Sequence, residues 1–175
     1  AGLPITTLCA WSNGHEKIVR TMPNTPALVA QGITGVFAPQ LNATEQDWVN
    51  NILQSIGQIV WLNDESQIDA ITAISGSGPA YVFYMMEQLT RDAEQLGFDP
   101  ATAKQLVQAT FAGAVALAGE STESISTLRE RVTSKGGTTA AALAKFTESG
   151  LDQAIHAGVA ACKARAEELA KELSA

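Results

Sequence analysis

The amino-acid sequence predicts a small α/β segment joined to an almost entirely helical domain. Two compositional gradients and one alternation point to it. All six prolines (Pro4, Pro23, Pro26, Pro39, Pro79, Pro100) fall in the first hundred residues, whereas alanine rises from 10 in residues 1–100 to 19 in residues 101–175. Proline inside a helix removes a backbone hydrogen bond, and alanine is the strongest helix former, so the gradients separate a part rich in turns and strands from a helical part. Within the first sixty residues, strand-like and helix-like runs alternate, which is the order expected of part of an α/β sheet.

In chain order, Lys17-Ile18-Val19-Arg20-Thr21-Met22 reads as a short strand ending at Pro23, and residues 32–38 read as a second. Thr44 is the expected N-cap of a helix over 45–56 that places Trp48, Ile52, Leu53 and Ile56 on one face, with Gly57 ending it. Residues 58–62, β-branched and aromatic, read as a third strand. From Ser66 the pattern is helical. Pro79 suits the first turn of a helix reaching Leu96, whose residues 81–86 (Tyr-Val-Phe-Tyr-Met-Met) are apolar all round. Such a helix is buried in a large core or in an oligomer interface. Asp99-Pro100 opens a further helix with Leu106, Val107, Phe111, Ala114 and Leu117 on one face. Its many small residues let neighbouring helices approach closely. Residues 128–132, 140–148 and 151–173 complete the helical set.

Eleven basic against eighteen acidic side chains leave a formal net charge of −7, with no basic run. That argues against nucleic acid and anionic membranes as partners. No apolar run is long enough for a membrane span. Two cysteines, Cys9 and Cys162, and two histidines, His15 and His156, give no metal spacing; the cysteines read as reduced thiols in a cytoplasmic protein with no metal site, and His156, on a helix among apolar residues, reads as structural. Neither a GxxxxGK[ST] loop nor a GxGxxG fingerprint is present.

Three segments interrupt these patterns. Met22-Pro23-Asn24-Thr25-Pro26 lies where a strand ends, the position at which open α/β sheets bind ligands; a stiff turn is the plainer alternative. Ser75-Gly76-Ser77-Gly78-Pro79 opens an apolar helix, its glycines permitting close backbone approach. The alternative there is a helix entry capped by Ser77 or Gly78. Ser134-Lys135-Gly136-Gly137-Thr138-Thr139 precedes an alanine-rich helix. Outward N–H groups of Gly136, Gly137, Thr138 and Thr139 would form a cup for a carboxylate or phosphate at the helix N-terminus. The alternative is a turn capped by Thr138 or Thr139.

Taken together, Val19-Arg20-Thr21-Met22-Pro23-Asn24-Thr25-Pro26, Ile74-Ser75-Gly76-Ser77-Gly78-Pro79-Ala80-Tyr81 and Val132-Thr133-Ser134-Lys135-Gly136-Gly137-Thr138-Thr139 resemble pyrroline-5-carboxylate reductase in order and separation. Lys135 stands where many relatives have proline. The resemblance implies that residues 1–64 are the C-terminal part of an NAD(P)-binding Rossmann domain and residues 65–175 an all-α dimerisation and substrate-binding domain, with roughly the first 60–100 residues of the family, a mononucleotide-binding half, missing. It implies hydride transfer from NADPH or NADH to 1-pyrroline-5-carboxylate, giving L-proline. The substrate carboxylate is then expected on Ser134, Gly136, Gly137 and Thr138. Thr139 is the expected catalytic hydroxyl at the ring nitrogen, and Met22, Pro23, Asn24, Thr25, Ser75 and Gly76 are expected on the cofactor side. An interlocked dimer, able to join into a larger ring, is the implied assembly. Two rivals stand beside it. One is a helical dimerisation module without activity in this truncated form. The other is another imine or β-hydroxyacid reductase of similar two-domain plan; the acid dehydrogenases among these carry a lysine on the helix at 79–96, where this sequence has none.

Overall fold

The computed structural model describes residues 2–174. The chain divides into two compact units, residues 1–80 with 156–175, and residues 81–155.

The first unit is built on a three-stranded sheet, β1 (Arg20–Met22), β2 (Gly32–Phe37) and β3 (Gly57–Trp61), in the order β1-β2-β3. β1 runs antiparallel to β2, with Arg20 opposite Phe37 and Met22 opposite Gly35. β2 runs parallel to β3, Gly32 opposite Gly57, and the crossover between them carries α2 (Ala43–Leu53). The sheet therefore keeps the strand–helix–strand unit expected from sequence and adds an antiparallel strand. Val36 is fully buried at its centre, with Thr34 and Ile68 nearly so. Strand β1 is half the expected length, because the run from Lys17 to Val19 has no partner strand among the described residues.

Four local differences stand out. Asn42, not Thr44, caps α2. Its side chain accepts from Glu45 N–H at 3.0 Å while the Glu45 carboxylate accepts from Asn42 N–H at 3.0 Å, a reciprocal pair that starts the helix two residues early. The helix gives way at Gln54–Ile56 to a 3₁₀ turn, and Gly57, at φ +142°, turns the chain into β3. Trp48 (64% exposed) and Ile52 (69%) face solvent, so the apolar face read from the sequence is only half used. At the other end of the sequence, Ile5–Trp11 forms α1, a helix that the β-branched run Ile-Thr-Thr did not suggest.

After β3 come α3 (Gln67–Ile71), a π-helical turn (Thr72–Gly76) and α4 (Gly78–Gln95) in nearly continuous helix. The Ser-Gly-Ser-Gly run predicts a break in the chain at this point. Instead the glycines are absorbed into a widened turn, closed by the Ser77 N–H donating to the Thr72 carbonyl at 2.8 Å. A Cβ placed on Gly35 would stand 3.0 Å from the Ile71 side chain, so this helix sits directly on β2.

The second unit takes the greater part of α4, then α5 (Pro100–Glu120), α6 (Ile125–Arg131), α7 (Thr138–Glu148) and the start of α8 (Leu151–Ser174), whose later turns belong to the first unit. Asp99 caps α5 by accepting from the N–H groups of Ala101 and Thr102, as Asp-Pro predicts. Burial here is confined to Ala103 and Val107. The apolar run at 81–86 is not covered within the chain: Phe83 is 63% exposed and Tyr84 65%. No helix among the described residues is long and apolar enough to cross a membrane.

Candidate active site

Two of the three segments meet in the first unit. β1 delivers Met22 to its end, and Pro23-Asn24 lead into a 3₁₀ turn (Thr25–Val29) with Pro26 in its first positions. The Asn24 side-chain oxygen accepts from Ile33 N–H at 3.0 Å, which fastens the loop to the start of β2. No acceptor among the described residues takes up the Asn24 amide N–H groups, so they remain as donors. The π turn stands beside this loop. A Cβ on Gly76 would come 2.7 Å from the Met22 methyl, a separation that forces something to shift. Glycine at 76 is therefore what lets Met22 lie against the turn. Within the turn Ser75 Oγ donates to the Ile71 carbonyl (3.2 Å) and Thr72 Oγ to the Ile68 carbonyl (2.8 Å). Ser77 Oγ lies 3.2 Å from Cys162 Sγ of α8. Single-turn π elements interrupt helical hydrogen bonding at some cost and recur at functional sites.

The third segment lies in the second unit. Ser134-Lys135-Gly136-Gly137 forms a turn in which Gly137 N–H donates to the Ser134 carbonyl at 3.0 Å and Gly136 takes φ +73°, a left-handed conformation natural to glycine. Gly137 is the N-cap of α7 and no side chain caps the helix, so neither threonine fills the role the plainer reading gave it. The first helical bond runs from Ala141 N–H to the Gly137 carbonyl. The N–H groups of Thr138, Thr139 and Ala140 have no acceptor among the described residues, and the partial positive charge of the helix N-terminus adds to theirs. The cup differs from expectation in one respect: the Gly137 N–H is spent within the turn. A Cβ on Gly137 would stand 2.3 Å from Ser134 Oγ, so the residue instead makes room for that hydroxyl. Ser134, Thr138 and Thr139 are exposed.

The groups with displaced pKa values lie outside these segments. The Glu45 carboxyl is lowered by its bond to Lys17, Asp64 by the Ser66 hydroxyl, Asp99 by the Thr102 hydroxyl and Glu167 by Lys163. Each belongs to a helix cap, a short turn or a surface pair. The chemistry available at the three segments is that of backbone N–H groups, hydroxyls, one carboxamide and, in the third, the Lys135 ammonium. Those donors suit a carboxylate and an uncharged amide-bearing ring. Two contacts near the sites escaped sequence reasoning, Arg20 with Glu65 and Ser77 with Cys162, because 45 and 85 residues separate the partners and no spacing rule links them.

Comparison with known proteins bears on the same segments. Residues 65–169 match the family described as pyrroline-5-carboxylate reductase dimerisation. The pyrroline-5-carboxylate reductase of Haemophilus influenzae is 44% identical over 172 residues, covering 97% of this chain and 63% of that protein. A pyrroline-5-carboxylate reductase structure from Coxiella burnetii superposes with a TM-score of 0.91 at 38% identity, covering 96% of this chain and 63% of that one. The Plasmodium falciparum enzyme, solved with NADP bound, superposes with a TM-score of 0.87 at 32% identity, covering 97% and 68%. The chain thus spans somewhat less than two thirds of the H. influenzae and C. burnetii proteins.

Proposed function

The chain belongs to the pyrroline-5-carboxylate reductase family, and from that premise we propose that it is the substrate-binding and assembling part of an NAD(P)H-dependent reductase that converts 1-pyrroline-5-carboxylate to L-proline in the cytoplasm. In this reading residues 1–64 close a Rossmann domain and residues 65–175 form the helical domain. The observation that carries it is the uncapped N-terminus of α7, which offers backbone N–H groups beside the exposed hydroxyl-bearing residues Ser134, Thr138 and Thr139.

The substrate is a small ring with one carboxylate and one C=N bond. The N–H groups of Gly136, Thr138 and Thr139, with the Ser134 hydroxyl, hold the carboxylate, and Gly137 keeps the cup open. Net negative charge on the protein does not oppose this, because oriented N–H dipoles act at contact range. Thr139, one residue deeper along α7, places its hydroxyl at the ring nitrogen, where it donates a hydrogen bond and hands on the proton that nitrogen gains. When bound, NAD(P)H supplies the hydride that adds to the imine carbon. Asn24 offers its amide donors on that side, with Met22, Pro23 and Thr25 shaping the loop and Ser75 and Gly76 the wall opposite. No strong acid or base is required of the protein, whose task is orientation.

The exposed apolar side chains of α4 support self-association, read as an interlocked dimer that can join into a ring, with the cup of one subunit facing the cofactor side of the other. The test is Thr139→Val in the full-length protein, which keeps shape and removes the hydroxyl. Turnover should fall about tenfold to a thousandfold. Unchanged turnover removes Thr139 from the reaction, and an inactive wild-type protein removes the reductase reading altogether.

A further inference from the structure

Arg20 is the buried charged residue that the proposed reaction leaves without a task. It is only 8% exposed, and its NH1 donates to Glu65 Oε1 at 2.8 Å. The same carboxylate oxygen accepts from Ile5 N–H, the first residue of α1, at 2.7 Å. The other guanidinium nitrogen, NH2, is buried with no partner among the described residues. Without Glu65 the guanidinium would be a buried charge with no acceptor, the arrangement proteins tolerate least.

Its position gives the pair a purpose. Arg20 and Met22 are two apart on β1, and their register partners are Phe37 and Gly35 on β2. Alternation along a strand puts Arg20, Met22, Gly35 and Phe37 on one face. The segment from Glu65 to Gly76 runs over that face and touches it at three successive points: Glu65 on Arg20, Ile71 on Gly35, and Gly76 on Met22. The first contact is polar and directional, while the other two are steric and would permit sliding. The third is where the Met22 loop meets the π turn. Moving the Glu65 end therefore alters how the turn stands against the loop eleven residues later.

We infer that Arg20 and Glu65 are positioning residues for the reaction: their ion pair fixes the π turn, with Ser75 and Gly76, against Met22-Pro23-Asn24, and so sets the shape of the cofactor side. The inference rests on the proposed function. Its test compares Glu65→Gln, Glu65→Asp and Arg20→Lys in the full-length protein, with Lys17→Gln, which breaks an exposed ion pair nearby, as control. Glu65→Gln should raise KM for NAD(P)H about tenfold, the scale expected of a small misplacement at a distance, with KM for pyrroline-5-carboxylate little changed. Glu65→Asp should recover part of that loss, and Lys17→Gln should show none. Amide hydrogen exchange adds a readout that needs no activity: exchange should quicken together at Met22, Asn24 and Thr25 and at residues 75–77. A lower melting temperature with the cofactor KM within about twofold of wild type would reduce the pair to a structural role. So would faster exchange confined to α1. An inactive wild-type protein would defeat the reductase reading while leaving the exchange arm to decide whether the pair couples loop and turn.

Discussion

The unit formed by residues 1–80 and 156–175 closes its own core: Val36 is completely buried, and Ile68 and Ala73 are within 1% of it. In residues 81–155 the large apolar side chains Phe83, Tyr84, Val115 and Leu117 are mostly in solvent, and only Ala103 and Val107 are buried. Both regions carry comparable apolar sequence. What differs is geometry. A sheet with a helix seated on it encloses space within one chain, whereas a few helices rich in alanine bring their backbones close and have little left to enclose. A monomer seldom leaves so large an apolar surface uncovered, and the proposed self-association would cover it.

Three perturbations would break or sharpen this contrast. The largest effect falls on the self-sufficient unit. A Cβ at Gly57 would stand 1.9 Å from the Gly32 carbonyl oxygen, and φ there is +142°. Gly57→Ala should therefore cost about 3–5 kcal/mol through strain and overpacking together, read by denaturant unfolding. A loss below about 1 kcal/mol would show that β2 and β3 are not held as closely as described.

The next effect should touch association and spare the local fold. Phe83→Asp on α4 should weaken self-association by about 2–4 kcal/mol in sedimentation equilibrium, with helical circular dichroism retained. If association is unaffected, the exposed face of α4 does not carry it. If helicity is lost together with association, the folding of residues 81–155 depends on the second copy.

The smallest effect is on a helix end. The Thr102 hydroxyl, followed by backbone N–H groups, holds the Asp99 carboxyl below its ordinary value. A carboxyl depressed in the folded state stabilises it above the unfolded carboxylate pKa, and that contribution is lost as pH falls through the folded value. The start of α5 should thus fray below about pH 4, seen as faster exchange at Ala101 and Thr102, while pH 6–8 leaves it unchanged. Asp99→Asn should remove the pH dependence.

The elements were legible in proportion to how local their causes are. Asp99-Pro100 announced α5 because cap and first turn are adjacent in sequence, and the helices at 138–148 and 151–174 follow from alanine content and a glycine between them. The Asn42–Glu45 capping box was equally local, but Thr44 was the more conspicuous candidate and lay two residues inside the helix. The π turn was not legible: Ser-Gly-Ser-Gly reads as a break, and only the packing of Gly76 on Met22 and of Ala73 in the core holds it helical. Likewise the cup at α7 was visible as hydroxyls and glycines, whereas the use of the Gly137 N–H inside the turn depends on the left-handed Gly136 before it.

Sequence alone determined the division into a strand-bearing part and a helical part, the identity of the three loops and the kind of chemistry they offer, because composition, periodicity and donor type are properties of neighbours along the chain. Only the tertiary structure decided that the first two loops touch, that Arg20 is anchored to Glu65 across 45 residues, and which apolar faces are used and which left bare. Those outcomes depend on strand register and on which helix covers which face. Both are fixed by closure of the whole core, so no window of sequence contains them.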